Sequence, residues 1–518
     1  MSDAETNPYD TVDYPGHAFP DTHPGRIAAV GILHGMQPPV IESCRVLELG
    51  CGDGANLIPM AYELPGAHFV GIDLAEHPIA RGQHTVAALG LGNIDLRVMD
   101  VMDVTKEIGE FDYIIAHGLF SWVPDAVRER VLEICAWQLA PHGLAFINYL
   151  AQPGNHVREI LRELLMLFGS KDADPRVQVG RARELMRLFS GPAGTDPFQE
   201  VARAQASEFE KLPDGAIYHD WLAPINSALY ITEFVGLAAL HGLAFVGEAE
   251  YFMTRYEHDP TLALARAELE RLEEQDVVMK EQLLDFLRCR RFRQTLLCHA
   301  NVPLSRPTPA RVLPLAAASP LKLVGQPNLS SREVAEFRSP HDVSLKIDHP
   351  VAKAALHRLG REWPRAVRVE QLLADARAET GRTDAESELG DAEVLGGVLL
   401  ACSGAAHAEL YARAPRFVLS PGERPRASAV ARAEITRTQL VTTLRHESLR
   451  IADQLGAALL GLLDGTRGRA AITDALVLLI ESGRVSLPEA AQADLRAGIA
   501  HGLEASLLGL ARSALLEA

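Results

Sequence analysis

From Arg45 onward the chain alternates between two hydrophobic periods. Arg45–Leu49 sets apolar side chains between charged ones and reads as a short buried strand. Gly50, Gly52 and Gly54 follow as a turn free of bulky side chains, and Asn56–Tyr62 opens a helix. His68–Asp73, Ile94–Val98, Phe111–Ala116 and Leu144–Tyr149 are further apolar runs of strand length. Between them, Ile79–Leu89 is helical and closed by Gly90, and Val127–Leu139 is an amphipathic helix stopped by Pro141-His142-Gly143. Strands alternating with helices at this spacing predict a mostly parallel sheet covered on both faces, an α/β fold of the Rossmann-like kind.

The flanks read differently. Residues 1–26 are rich in Pro, Gly, Tyr and His and predict an ordered arm; Ile27–Met36 suits a short helix before Gln37-Pro38-Pro39. Val157–Leu240 is helical in pattern, punctuated at Lys171–Pro175 and Lys211–Gly215. Strand character returns in Leu243–Val246 and Phe292–Leu297, around a charged helical run, Leu262–Arg288. These are read as late strands of the same sheet, which makes residues 155–240 a helical insertion over its C-terminal edge. Residues 301–348, rich in Pro and Ser, read as a linker with a strand or hairpin. Helical patterning resumes at Val351, with an acidic loop at Glu379–Glu393 expected to be mobile and a break at Ser420–Pro425. The division expected is 1–155, the cofactor-binding core with its arm; 156–300, an insertion completing the sheet; 301–348, the linker; and 349–518, a mainly α C-terminal domain.

Composition changes this picture little. A chain of 518 residues exceeds one core. Its net charge of −18 argues against binding nucleic acid and suits a lysine- or arginine-rich partner, or simply a soluble acidic surface. The six cysteines form no CxxC pair, which favours free thiols in a reducing cytoplasm. No apolar h-region follows the polar N-terminus, so no signal peptide is expected. The longest apolar stretch, Ala228–Val246, is broken by Glu233 and His241, so no membrane span is expected. No metal-ligand spacing stands out.

The chemistry concentrates at Gly50-Cys51-Gly52-Asp53-Gly54-Ala55. This fits the dinucleotide fingerprint G-x-G-x-x-G/A, and equally the E/D-x-G-x-G-x-G turn of class I S-adenosylmethionine (SAM) methyltransferases. Glu48 before the glycines favours SAM: a carboxylate there can meet the methionine ammonium and would repel a pyrophosphate. Asp73, ending the second strand, can accept hydrogen bonds from both ribose hydroxyls, and Asp100, after the third, from the adenine amino group. The cofactor set expected is Glu48, Gly50, Cys51, Gly52, Gly54, Asn56, Asp73, Leu74, Asp100, Val101 and His117. His117, near the methyl-bearing sulfur, Trp122 and Tyr149 are candidate lining residues. No catalytic base is evident, and solvent can serve. The aromatic arm is expected to close over the cofactor.

With these residues in view, the chain resembles bacterial methyltransferases carrying a methyltransferase regulatory domain, a group that includes the protein-lysine methyltransferases of outer-membrane proteins. The marks are Tyr9-Asp10, Thr22-His23-Pro24, Val46–Ala61, Phe69–Leu74, Phe111–Pro124, Tyr218–Leu222, His241–Glu250, Phe286–Leu297, Ala355–Ala366, LRHESL at Leu444–Leu449 and LLDGTRGR at Leu462–Arg469. The resemblance implies a SAM-binding domain, a central regulatory or dimer-forming region and a C-terminal domain of winged-helix type. It also implies methylation of protein lysine. One departure stands at Asn148–Asn155: family members often read S-Y-N-T-Y-P-G-W, and here Leu150, Gln152 and Asn155 hold the Asn, second Tyr and Trp places. That loop should border the acceptor. By itself, His446 in LRHESL reads as a core or capping histidine.

The leading expectation is therefore methyl transfer from SAM to a protein side chain. Methylation of a small molecule or modified peptide, a SAM-binding scaffold without turnover, and a nicotinamide-dependent dehydrogenase stand as alternatives.

Overall fold

The computed structural model describes residues 8–14, 16–191, 194, 196–486 and 494–517. Eight strands form the central sheet: β1 (Arg45–Leu49), β2 (His68–Asp73), β3 (Ile94–Val98), β4 (Phe111–Ala116), β5 (Leu139–Ala151), β6 (Ala228–Leu229), β7 (Leu243–Glu248) and β8 (Phe292–His299). Their order is β3-β2-β1-β4-β5-β8-β7, with the short β6 beside the end of β5. All pairings run parallel except those of β8, which lies antiparallel between β5 and β7. The late strands thus complete the same sheet. Pro141-His142-Gly143 does not delay β5, because the strand carries these residues in a bulge opposite Phe111–Tyr113.

The period of two sorts side chains onto two faces. Val46, Tyr113, Ile115, Leu144 and Phe146 pack under α1 (Pro24–Leu33) and α2 (Leu57–Glu63). Leu47, Leu49, Ile114, Ile147 and Tyr149 pack on the other side, against α3 (Asp125–Gln138) and Phe234. Glu48 shares the parity of Val46, so its carboxylate falls on the α1–α2 side, at the strand's C-terminal end.

The insertion begins with helices Asn155–Phe168, Pro175–Arg187 and Pro197–Glu210. Asp174 and Asp196 cap the last two, each followed by proline at the first helical position. Leu161, Leu165, Met186, Phe209 and Trp221 give the insertion its own core. The charged run Leu262–Arg288 is not one helix: Asp276 accepts from the Val278 and Met279 amides and starts a second helix, Val277–Arg288.

Two expectations need correction. Residues 301–348 are more than a linker with one hairpin. Ala316–Ala318 is a buried strand paired with Val367–Arg368 and Glu409–Tyr411, and Lys322–Leu323, Ala335–Arg338 and Ser344–Ile347 form a second sheet. Val312, Leu315, Leu321 and Phe337 share a core with helix Pro350–Glu362. Strands of two to four residues are too short to show a period in sequence. The acidic loop is likewise shorter than expected, for a helix starts at Glu388 and runs to Gly404. Its Asp391 is buried against Arg377 and Arg382, so a residue that reads as a solvated charge is a buried ion-pair partner.

The last domain packs helices Ala429–Glu434, Gln454–Leu462, Arg469–Glu481 and Leu495–Arg512 around one core, with a hairpin of Leu440–Thr442 and Ser448–Arg450. It is docked on the core domain: the Ser448 hydroxyl donates to Ala18 O at 3.1 Å, and Tyr62 meets Glu517. Among the described residues no helix is long and apolar enough to cross a membrane.

Candidate active site

The crevice lies beyond the C-terminal ends of β1, β2 and β4, where open parallel sheets bind ligands. Gly50, Gly52 and Gly54 all have positive φ (76°, 55° and 73°), which L side chains adopt only under strain. The Gly50 and Cys51 amides both donate to Ile72 O, folding the turn onto β2. A Cβ at Gly52 would meet nothing within 4 Å, so this turn faces open space.

The acids are held in position. Asp73 accepts the Gly52 amide on Oδ2 and the Ala75 amide on Oδ1, both at 2.8 Å, which leaves each oxygen a further lone pair. Burial raises its pKa. Glu48, only 3% exposed, accepts the Asn56 side-chain amide at 2.9 Å on Oε1. Its Oε2 is buried without a partner among the described residues. Burial pushes its carboxyl up to about 8, against the Asn56 hydrogen bond and with help from Asp73. A buried carboxylate with one free oxygen is a socket for an ammonium group. Asp100 is half-buried and accepts the Met102 amide.

The remaining expected residues divide. His117 is stacked under Phe19 of the arm, with ring centroids 3.6 Å apart, and on Phe146 at 6.0 Å. Desolvation lowers its pKa to about 3, so the ring is neutral. Leu119 packs beside Gly50, and Trp122, two residues past Phe120, is half-buried with an unpartnered indole N–H among the described residues. Cys51 is buried, its thiol pKa raised by desolvation; Leu74 is exposed and Val101 buried. Tyr149 is not brought to the crevice. It is fully buried on the opposite face of the sheet, stacked on Phe234 at 4.3 Å. Its neighbour Asn148 takes the place on the crevice side, accepting the Gly118 amide at 2.8 Å while its own NH2 is buried and unpartnered among the described residues. The loop after β5 is tied down by Glu159, which accepts from Gln152 and Asn155.

The arm forms the roof. Gly16 sits where a Cβ would lie 2.7 Å from Asp53 Oδ1 and 2.9 Å from the Ala55 Cβ, so only glycine fits against the turn. Phe19 N–H donates to Asn56 Oδ1 at 3.1 Å. Farther out, Tyr9 is stacked on His219 at 4.0 Å, His219 bonds Val12 O at 2.8 Å, and the Tyr14 hydroxyl donates to Asp220 at 3.2 Å. Burial raises the Asp220 carboxyl to about 6. Phe19, Asn148, His219 and Asp220 escaped individual assignment from sequence, and His446 reads there only as a core or capping histidine, since their partners lie far away in the chain.

This sheet order and this crevice define a class I SAM-dependent methyltransferase. Three family profiles match in succession: "Methyltransferase domain" at residues 46–143, "Predicted methyltransferase regulatory domain" at 213–299 and "PKMT, C-terminal winged helix domain" at 423–515. Protein RP789 of Rickettsia prowazekii (strain Madrid E) is 27% identical over 500 residues, 94% of this chain and 89% of the relative. RP028 of the same organism is 30% identical over 229 residues, 44% of this chain and 92% of the relative. PKMT2 from Rickettsia typhi shares the fold over 98% of this chain and 100% of that one, with a TM-score of 0.86 at 24% identity; its complex with AdoHcy superposes at 0.85. The chain belongs to the family of SAM-dependent methyltransferases that join a methyltransferase domain to a methyltransferase regulatory domain and a PKMT-type winged-helix domain.

Proposed function

We propose that this enzyme methylates lysine side chains of a protein. The observation that carries the acceptor reading is the match of residues 423–515 to the winged-helix domain of PKMT, a name given to protein-lysine methyltransferases. The net charge of −18 suits a lysine-rich partner. Tyr9, Tyr14, His219 and Asp220 also set aromatic rings and a carboxylate together above the crevice, which is chemistry suited to an ammonium-bearing side chain.

When bound, SAM supplies a sulfonium-activated methyl group. Glu48 would hold the methionine ammonium, Asp73 the ribose hydroxyls and Asp100 the adenine amino group, with Leu74 and Val101 beside them. Phe19 and His117 would cover the site and exclude water. Aligning acceptor and donor in this way can contribute about 7–11 kcal/mol. We further propose the cytoplasm as the compartment, and a homodimer. The free cysteines support the compartment. The exposed Leu167, Phe168, Leu188 and Phe198 of the insertion support the dimer.

Labelled SAM incubated with the enzyme and bacterial lysate should mark protein bands, and mass spectrometry should place the methyl groups on lysine. Label confined to small molecules would instead favour the second reading, a small molecule or modified peptide. The departure from the family pattern at Leu150, Gln152 and Asn155 keeps that reading open. SAM binding with no turnover on any fraction would leave the scaffold reading.

A further inference from the structure

The amide of Asn56 is the point where three remote segments meet. Its nitrogen donates to Glu48 Oε1 at 2.9 Å. Its oxygen faces the Phe19 N–H at 3.1 Å and His446 Nε2 at 2.9 Å, the latter 390 positions away in the chain. The Thr22 hydroxyl also lies 3.1 Å from this oxygen, but its single proton goes to Phe19 O at 2.7 Å. A carbonyl oxygen has two acceptor sites, and here both are taken.

His446 is at the tip of the winged-helix hairpin. Its φ of 60° turns the chain sharply, and the tip is closed by Thr443 N to Glu447 O at 2.8 Å and His446 N to Thr443 O at 2.9 Å. The ring is 2% exposed and lies 5.4 Å from that of His23. Desolvation lowers its pKa well below the ordinary value, so the ring is neutral. Facing an amide oxygen, it must carry its proton on Nε2.

The consequence concerns Glu48. Were the Asn56 amide to turn over, its oxygen would face the Glu48 carboxylate, acceptor against acceptor, and its NH2 would face two donors. The Phe19 N–H, which can only donate, excludes that alternative, and the donor at His446 reinforces it.

We propose that His446 is a positioning residue of the cofactor site: through Asn56 it fixes the Glu48 carboxylate that receives the cofactor's ammonium. Cofactor affinity is then a property of the C-terminal domain as well as of the methyltransferase domain. This rests on the assignment of Glu48 to SAM.

The experiment is SAM titration by calorimetry of the full-length wild type, His446→Gln, His446→Leu, Asn56→Ala and the double variant Asn56→Ala/His446→Leu. Glutamine keeps a donor at the place of Nε2; leucine keeps volume without a donor. His446→Leu should raise Kd roughly tenfold, and His446→Gln should restore most of the loss. In the Asn56→Ala background, His446→Leu should add nothing, because the path runs through that amide. Equal losses in Gln and Leu, or a further loss on top of Asn56→Ala, would overturn the proposal. Nitrogen NMR of the wild-type ring gives a check that needs no variant: a proton on Nδ1 rather than Nε2 overturns it however the variants fold. If the wild type itself does not bind SAM, the cofactor reading fails first and this proposal with it; wild-type binding unaffected by His446→Leu defeats this proposal alone.

Discussion

The Phe19 ring lies over that of His117 with centroids 3.6 Å apart and planes inclined by 29°. One ring belongs to the N-terminal arm and the other to the loop after β4, so the contact closes the crevice from above. It also strips water from the imidazole, the main cause of the depressed His117 pKa, with His17 adding to it.

His117 should therefore stay neutral across the range in which free histidine titrates, around pH 6.5. Its ring resonances should show no titration between about pH 5 and 8. In Phe19→Ala, returning water should stabilise the charged form and bring the midpoint upward into that range. A His117 that titrates near 6.5 in the wild type would show that the arm does not cover it.

The arm is pinned at its far end by Tyr9 on His219 and by Tyr14 on Asp220. Deleting residues 1–26 should raise the apparent dissociation constant for SAM, since it removes the roof and one of the two donors to Asn56. Asp220→Ala should produce a smaller change of the same sign, roughly two- to tenfold, the value of one hydrogen bond. Unchanged SAM binding in the deletion variant would refute a covering role.

Glu48 makes cofactor binding dependent on pH. Its carboxyl, raised to about 8, holds a proton in the folded protein at pH values where the unfolded chain, near 4.5, has lost it. The folded state thus binds more protons between these limits, so this group lowers stability as pH rises from about 4.5 to 8. An ammonium ligand needs the carboxylate, so SAM affinity should rise with pH up to about 8 and fall by as much as tenfold per unit below it. Calorimetry in buffers of different ionisation heat should detect proton release on binding below pH 8. Glu48→Gln should abolish that release and weaken binding by roughly 10- to 100-fold, the worth of a hydrogen bond to a charged group. An identical proton count in both proteins would remove Glu48 from the site.

How much of this was legible follows from the range of each signal. The glycine turn, Glu48, Asp73 and Asp100 are visible because β1, β2 and β3 are consecutive and each acid lies at or just past a strand's C-terminal end. The late strands were visible by their apolar runs, and β8 could be joined to the sheet by order alone. The face that Tyr149 takes is not legible, because a strand assignment does not say which side an odd position takes until the neighbouring parity is known. His446 reads as a core or capping histidine, and it is buried; its partner is not legible, since the hydrogen bond spans 390 positions. The strands within residues 301–348 were too short to carry a period, and their partners lie at Val367–Arg368 and Glu409–Tyr411.

The motif Phe286–Leu297 has a structural explanation that bears on stability rather than chemistry. Arg293 is wholly buried and donates to Glu248 at 2.5 Å, Asp285 at 2.8 Å and Glu281 at 3.0 Å. Arg290 reaches Asp285 at 3.1 Å and Lys280 reaches Glu281 at 2.7 Å, so three cations face three carboxylates inside the fold. This cluster joins β8 to β7 and to helix Val277–Arg288, and so closes the edge of the sheet that carries the insertion. Such a network adds little over apolar packing, but removing one member strands the others without compensation. Arg293→Ala should therefore cost about 3–5 kcal/mol and lower the melting temperature by several degrees. Arg293→Lys keeps the charge but not the planar fork, and should lie between that variant and the wild type. Neither change touches the crevice, so the SAM dissociation constant of the folded fraction should stay close to that of the wild type. A variant that melts normally while losing SAM binding would reverse this assignment and make Arg293 part of the site.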